Sequence, residues 1–94
     1  MDEIRLDGRL WQTANDFYTA YLTAVGAPDW HGRNLDALWD SLTGGDINRR
    51  NPPFRVRIAG LTEMGGDARQ MVERFVAFAE DAKADRVTIR YWQL

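Results

Sequence analysis

Two carboxylates four residues apart, with a tryptophan between them, carry the clearest chemical potential in this sequence. Asp36, Trp39, Asp40 and Thr43 follow a 3/4/7 spacing, which on a helix projects all four from one face. Side chains at i and i+4 stand roughly 5–6 Å apart at Cβ, so the pair could serve acid–base catalysis, hold Mg²⁺ or bind a cation. No phosphate-cradling glycine loop accompanies the acids. With no cysteine and a single histidine, His31, thiolate nucleophiles, Cys-type zinc sites and multi-histidine metal centres are ruled out. Catalytic residues, metal and cofactor are therefore not expected, and the chain is read as a non-enzyme. Binding is the reading that remains. Like charges at i,i+4 repel by about 0.2–0.5 kcal/mol, and only Asp36 lies early enough for the helix dipole to favour it. An exposed tryptophan between the acids is disfavoured unless it meets something. Local rules broken together on one face suggest a surface for a cationic partner. The plain alternative is a solvated helix face with Trp39 folded onto a neighbouring loop.

The elements that must position these residues follow from pattern and punctuation. Ninety-four residues with 45% hydrophobic content and four tryptophans imply one small folded domain spanning 1–94. No apolar run reaches the length of a membrane span, and MDEIRLDGRL lacks a secretory apolar region, so a cytoplasmic location without membrane contact is expected. The formal net charge of −2 argues against a general nucleic-acid binder, and no direct nucleic-acid partner is expected from that total. Residues 3–7 alternate polar and apolar up to Gly8, a short strand. Thr13-x-x-Asp16 has capping-box spacing, and Phe17, Ala20, Tyr21 and Ala24 form the apolar stripe of the helix that follows. Gly26 and Pro28 end it. A second helix runs from an Asn34 N-cap to Thr43, with Leu35, Leu38 and Leu42 facing the core and Gly44-Gly45 as terminator.

A polar, turn-rich connection over 45–53 leads to a second strand at Phe54, Val56 and Ile58. Asp67 is placed to cap a longer helix to about Ala84, whose stripe is Met71, Phe75, Phe78, Ala79 and Ala82. Residues 86–92 form a third strand. The order βααβαβ predicts an α/β domain with a three-stranded parallel sheet flanked by helices, because helical connections favour parallel pairing.

The segment Trp30-His31-Gly32-Arg33-Asn34-Leu35-Asp36-Ala37-Leu38-Trp39-Asp40-Ser41-Leu42-Thr43-Gly44 resembles the aromatic-aromatic-Gly-x-Asn-Leu-Asp-Ala-Leu-Trp-Asp-x-Leu-Thr-Gly signature of the barstar family. The likeness runs without gaps from about Asp16 to Gly44. Within Asn34–Gly44 only Ser41 differs, standing where the family has cysteine. Weaker similarity continues through residues 81–85 into Val87-Thr88-Ile89. What the resemblance implies is an intracellular inhibitor that plugs a ribonuclease active site with this helix and the loop before it. Asp40 would enter the cationic pocket that holds the RNA phosphate, through charge-assisted hydrogen bonds. By the same likeness Asp36 would pair with a second basic group. Trp30 and Trp39 would give apolar contact and hold the loop, and Gly32, Asn34, Thr43 and Gly44 would line the rim. A later family acid also reaches the enzyme, matching Asp81 across a gap, with Glu80 as the adjacent alternative. The expected partner is a secreted or toxin ribonuclease bound one-to-one by a monomer, with an immunity role in toxin neutralisation.

Departures from the signature bear on partner identity. Trp30 and His31 replace two tyrosines, Arg33 replaces an acid beside the acidic face, and Gly45 replaces a tryptophan. His31 reads as a loop histidine with local hydrogen bonds, and Trp11 and Trp92 as core or sheet-edge residues. Arg55, Arg57, Arg86 and Arg90 on strands support a competing function, a weak RNA-binding or generic partner-binding module. Strand arginines also protect sheet edges from aggregation.

Overall fold

The computed structural model describes residues 2–43, 47–81 and 87–92, with residues 43, 80, 81 and 87–92 described at the backbone alone. In chain order the elements are β1 (Asp2–Asp7), α1 (Ala14–Ala24), α2 (Leu35–Thr43), β2 (Phe54–Ala59), α3 (Gly66–Asp81) and β3 (Val87–Trp92). The strands pair in parallel in the order β1-β2-β3. The fold is thus of the α/β class, with three helices and a small parallel sheet, as the alternation of patterns predicts. The expected glycine terminator of α2, the extension of the last helix to Ala84, and Arg86 all lie outside the described residues.

One face of the sheet is apolar and covered. Ile4, Leu6, Phe54, Val56 and Ile58 are buried in a common core with Leu38 and Leu42 of α2 and the inner faces of α1 and α3. The intervening Glu3, Arg5, Arg55 and Arg57 are half-buried or exposed, as period-2 alternation requires of the other face.

Helix α1 starts where its capping box directs. Thr13 Oγ1 accepts the Asp16 N–H at 3.4 Å, and Asp16 Oδ2 accepts the N–H groups of Gln12 and Thr13 at 2.7 and 3.1 Å. The buried face is Phe17, Tyr18, Tyr21 and Leu22, continued by Val25. Ala20 and Ala24 of the expected stripe are only partly buried at its margin. Phe17 anchors an aromatic cluster, with ring centroids 5.1 Å from Phe75, 5.7 Å from Tyr21 and 5.8 Å from Trp11. The helix ends in a Schellman turn: Ala27 N–H donates to Leu22 O, Gly26 N–H donates to Thr23 O, and Gly26 takes φ +68°. A left-handed residue here favours glycine.

Arg50 locks the long connection onto this helix end. Its guanidinium donates to both Asp2 carboxylate oxygens at 2.6 and 2.9 Å, to Glu3 O at 2.6 Å and to Ala24 O at 3.4 Å. The last turn of α1 holds no basic residue, and Arg50 brings the charge that suits its dipole from another segment. The same contact holds the Asp2 carboxyl below its ordinary range.

Asp67 does not cap α3. The helix begins at Gly66 and Asp67 lies within its first turn, where its charge still suits the dipole. The start is displaced because Gly65 is already fixed, donating its N–H to Trp11 O at 2.8 Å while its carbonyl accepts from Arg69 at 2.9 Å. Ala68, Met71, Val72, Phe75 and Ala79 form the buried stripe, and Phe78 lies at its edge.

Candidate partner-binding face

Helix α2 is short, nine residues, and isolated helices of that length are marginal. Its stability comes from its ends and its inner face. Asn34 Oδ1 accepts the Ala37 N–H at 2.8 Å, and Asn34 O accepts the Leu38 N–H at 3.1 Å, which makes Asn34 the N-cap. Leu38 and Leu42 are buried and Leu35 is partly so. Ser41 is buried beside them, a position the leucine spacing did not reveal. Its hydroxyl donates back to Leu38 O at 3.2 Å, which satisfies the group without a tertiary partner.

With that face inward, Asp36, Trp39 and Asp40 turn outward. All three are exposed. Among the described residues neither aspartate makes a salt bridge or hydrogen bond. Trp39 is 43% exposed, and the rest of its ring meets Phe78 edge-on at a centroid distance of 5.9 Å. It therefore packs on α3. Sequence periodicity placed Phe78 in the helix stripe but could not show that it braces a tryptophan on another helix. The contact also brings the last turn of α3 alongside α2. That turn includes Glu80 and Asp81, whose side chains lie outside the described residues.

The approach loop is anchored from inside. Trp30 is 75% exposed, and its neighbour His31 is the buried residue of the loop. His31 anchors the loop. It is 7% exposed, its N–H donates to Pro28 O at 3.0 Å, and its Nδ1 lies 2.8 Å from Gly32 O. A carbonyl partner can only accept, so the tautomer is Nδ1–H. Gly32 packs tightly: a Cβ there would meet Asn34 Nδ2 at 3.0 Å and Ala37 Cβ at 3.1 Å. Arg33 reaches back to α1, with Nη1 at 2.7 Å from both Asn15 Oδ1 and Thr19 Oγ1. This cation is thereby held against α1 by neutral groups, and among the described residues it pairs with neither Asp36 nor Asp40.

Beside Asp36 the three helices leave a groove of about 370 Å³, lined by Tyr18, Leu35 and Met71 together with Arg33, Asp36 and Arg74. Arg74 is a further residue that spacing along one helix could not assign to this surface. For Thr43 the backbone is described and ends α2; Gly44 lies outside the described residues. The described residues contain no cluster of three or more potential metal ligands.

A small parallel sheet backed by helices, with an anchored helix that presents two acids unpaired among the described residues and a half-exposed tryptophan, is the architecture of a small α/β protein of the barstar type. The chain belongs to the barstar family: the family model described as "Barstar (barnase inhibitor)" matches residues 1–92. It is also 43% identical over 44 residues to a Bacillus subtilis (strain 168) protein named "Putative ribonuclease inhibitor YrdF". That match covers 47% of this chain and 48% of the relative, so the chain spans about half the length of the curated relative it matches. No helix among the described residues is long and apolar enough to cross a membrane.

Proposed function

We propose that this protein inhibits a ribonuclease by inserting the acidic face of α2 into the enzyme's RNA-phosphate site. The observation that carries the reading is the pair Asp36 and Asp40, exposed without counter-ions among the described residues on a helix capped by Asn34 and seated by Leu38 and Leu42. A site that stabilises phosphate is cationic, and a carboxylate on a preorganised helix is a ready substitute for the phosphate. Asp40 is the central anchor and Asp36 the second charge. Trp39, braced by Phe78, and the exposed Trp30 supply apolar contact. Gly32, Asn34, Thr43 and Gly44 form the rim, and Asp81 or Glu80 contributes a later acid. Family membership and the name of the Bacillus relative support this reading. An immunity role against a toxin ribonuclease, met one-to-one in the cytoplasm, is the finer form of the same proposal.

The test is inhibition of RNA cleavage by a panel of guanyl-preferring ribonucleases including barnase, together with any nuclease captured from the source organism. Asp40→Ala should weaken inhibition of the responsive enzyme by about 2–5 kcal/mol, a general range to which barnase–barstar itself contributes. Glu73→Gln, an exposed acid on α3, should leave inhibition unchanged. Equal affinities for the two variants, or protection of RNA against none of the enzymes, would refute the proposal.

A further inference from the structure

The face of the sheet turned away from the helices carries a pattern that ordinary sheet chemistry disfavours. Register sets Arg5 directly opposite Arg57, and Arg57 directly opposite Arg90, so three arginines occupy one row across all three strands. Like charges directly opposite destabilise a sheet. The neighbouring row is Glu3, Arg55 and Thr88. Glu3 accepts from Arg5 Nε, and its Oε2 lies 3.6 Å from Arg57 Nη1 and 3.9 Å from Arg55 Nη1. The Glu3 carboxylate thus faces three guanidinium groups, and among the described residues Arg55 Nε is buried without a hydrogen-bond partner.

Protection of sheet edges does not account for this. β2 is the central strand, paired on both sides, so Arg55 and Arg57 guard no edge. Nor does the net charge of −2 oppose an anion here. The acids Asp36 and Asp40 belong to α2, whose leucines pack on the covered face of the sheet. The total conceals a separation of charge between two sides of the molecule.

We propose that this open face binds the phosphodiester backbone of single-stranded RNA, at a site distinct from the acidic face of α2. Adjacent strands lie about 4.8 Å apart, so the arginine row spans roughly 10 Å. Phosphates along an unstacked strand lie farther apart than the ~3.4 Å axial spacing per strand of a duplex, so a row of this length faces about two of them. Guanidinium forks suit phosphate oxygens because they can donate two parallel hydrogen bonds. A single line of cations fits one backbone, whereas a duplex presents two backbones across a groove ≈12 Å wide. Contacts to phosphate alone predict binding without sequence preference.

The experiment is fluorescence anisotropy of the full chain with a labelled oligouridylate of roughly a dozen nucleotides, from about 20 mM salt upward. About two phosphate contacts to a single strand predict a slope of log K against log salt of about −1.4, falling to about −0.7 in Arg5→Gln. Arg5 is the safest single probe, since it lies on an edge strand with its side chain 69% exposed. Arg55→Gln/Arg57→Gln should weaken binding further, with circular-dichroism melts confirming that each variant is folded. Three results would overturn the proposal. One is no binding at low salt, and another is an affinity and slope unmoved by Arg5→Gln. The third is Arg5-dependent capture of polyglutamate without capture of oligouridylate, which would assign the face to an acidic protein. None of these outcomes depends on whether α2 inhibits a ribonuclease.

Discussion

Replacing Asn34 by alanine separates the cap of α2 from its chemistry. The variant removes the 2.8 Å hydrogen bond from Ala37 N–H to Asn34 Oδ1 and leaves the backbone bond from Leu38 in place. Loss of an N-cap costs about 1 kcal/mol, within a range of roughly 0.5–2. For a chain of this length, that lowers the melting temperature by about 4–8 °C. Asn34→Ser retains a side-chain acceptor at the cap and should recover most of the loss. Calorimetry gives the first readout and amide exchange the second. The Ala37 N–H, freed by the alanine, should exchange roughly five-fold faster for each kcal/mol lost. If Asn34 serves the partner by holding α2 in place, Asn34→Ser will inhibit the ribonuclease almost as well as the parent while Asn34→Ala will not. A melt of Asn34→Ala within about a degree of the parent, or a serine variant no better than alanine, would refute the capping argument.

Two further perturbations address the fold that carries the site. The Tyr21 hydroxyl is buried in the aromatic core without a hydrogen-bond partner among the described residues, and burial pushes its pKa well above the ordinary 10. Tyr21→Phe should therefore leave stability unchanged or raise it by up to about 1 kcal/mol, and a clear loss in a denaturant titration would show a missed partner. The second concerns acid. Asp2, Glu3 and Asp7 are held below their ordinary values of 3.8, 4.5 and 3.8 by hydrogen bonds from Arg50, Arg5 and Arg9. Asp16 is held below 3.8 first by the Gln12 N–H and then by that of Thr13. Depressed folded-state values mean that the contribution is complete above the ordinary values and is lost as pH falls through the lowered ones. Melts should be level from neutrality to about pH 5 and decline below about pH 4, with a shallower decline in Asp2→Asn. A melting temperature that rises on acidification would contradict these pairings.

Much of this protein was legible in its sequence because the relevant physics is local. Alternation in β1 and β2, the Thr13–Asp16 capping box, the Gly26 stop and the Asn34 cap each depend on contacts within a few residues, where spacing and side-chain type are sufficient. The same locality exposed the acidic face, since Asp36, Trp39 and Asp40 are neighbours on one helix whatever surrounds it. Contacts between distant segments were decided by tertiary structure. That Phe78 braces Trp39, that Arg33 is drawn onto α1, and that His31 is buried in the approach loop all depend on how helices and loop pack. Asp67 lost its expected capping role because Gly65 was already bound to Trp11. The arginine row needed the register of all three strands: alternation within one strand shows a polar face, but only pairing sets Arg5 beside Arg57 and Arg57 beside Arg90. Spacing along the chain specifies which side chains share a face; packing and register specify what that face meets.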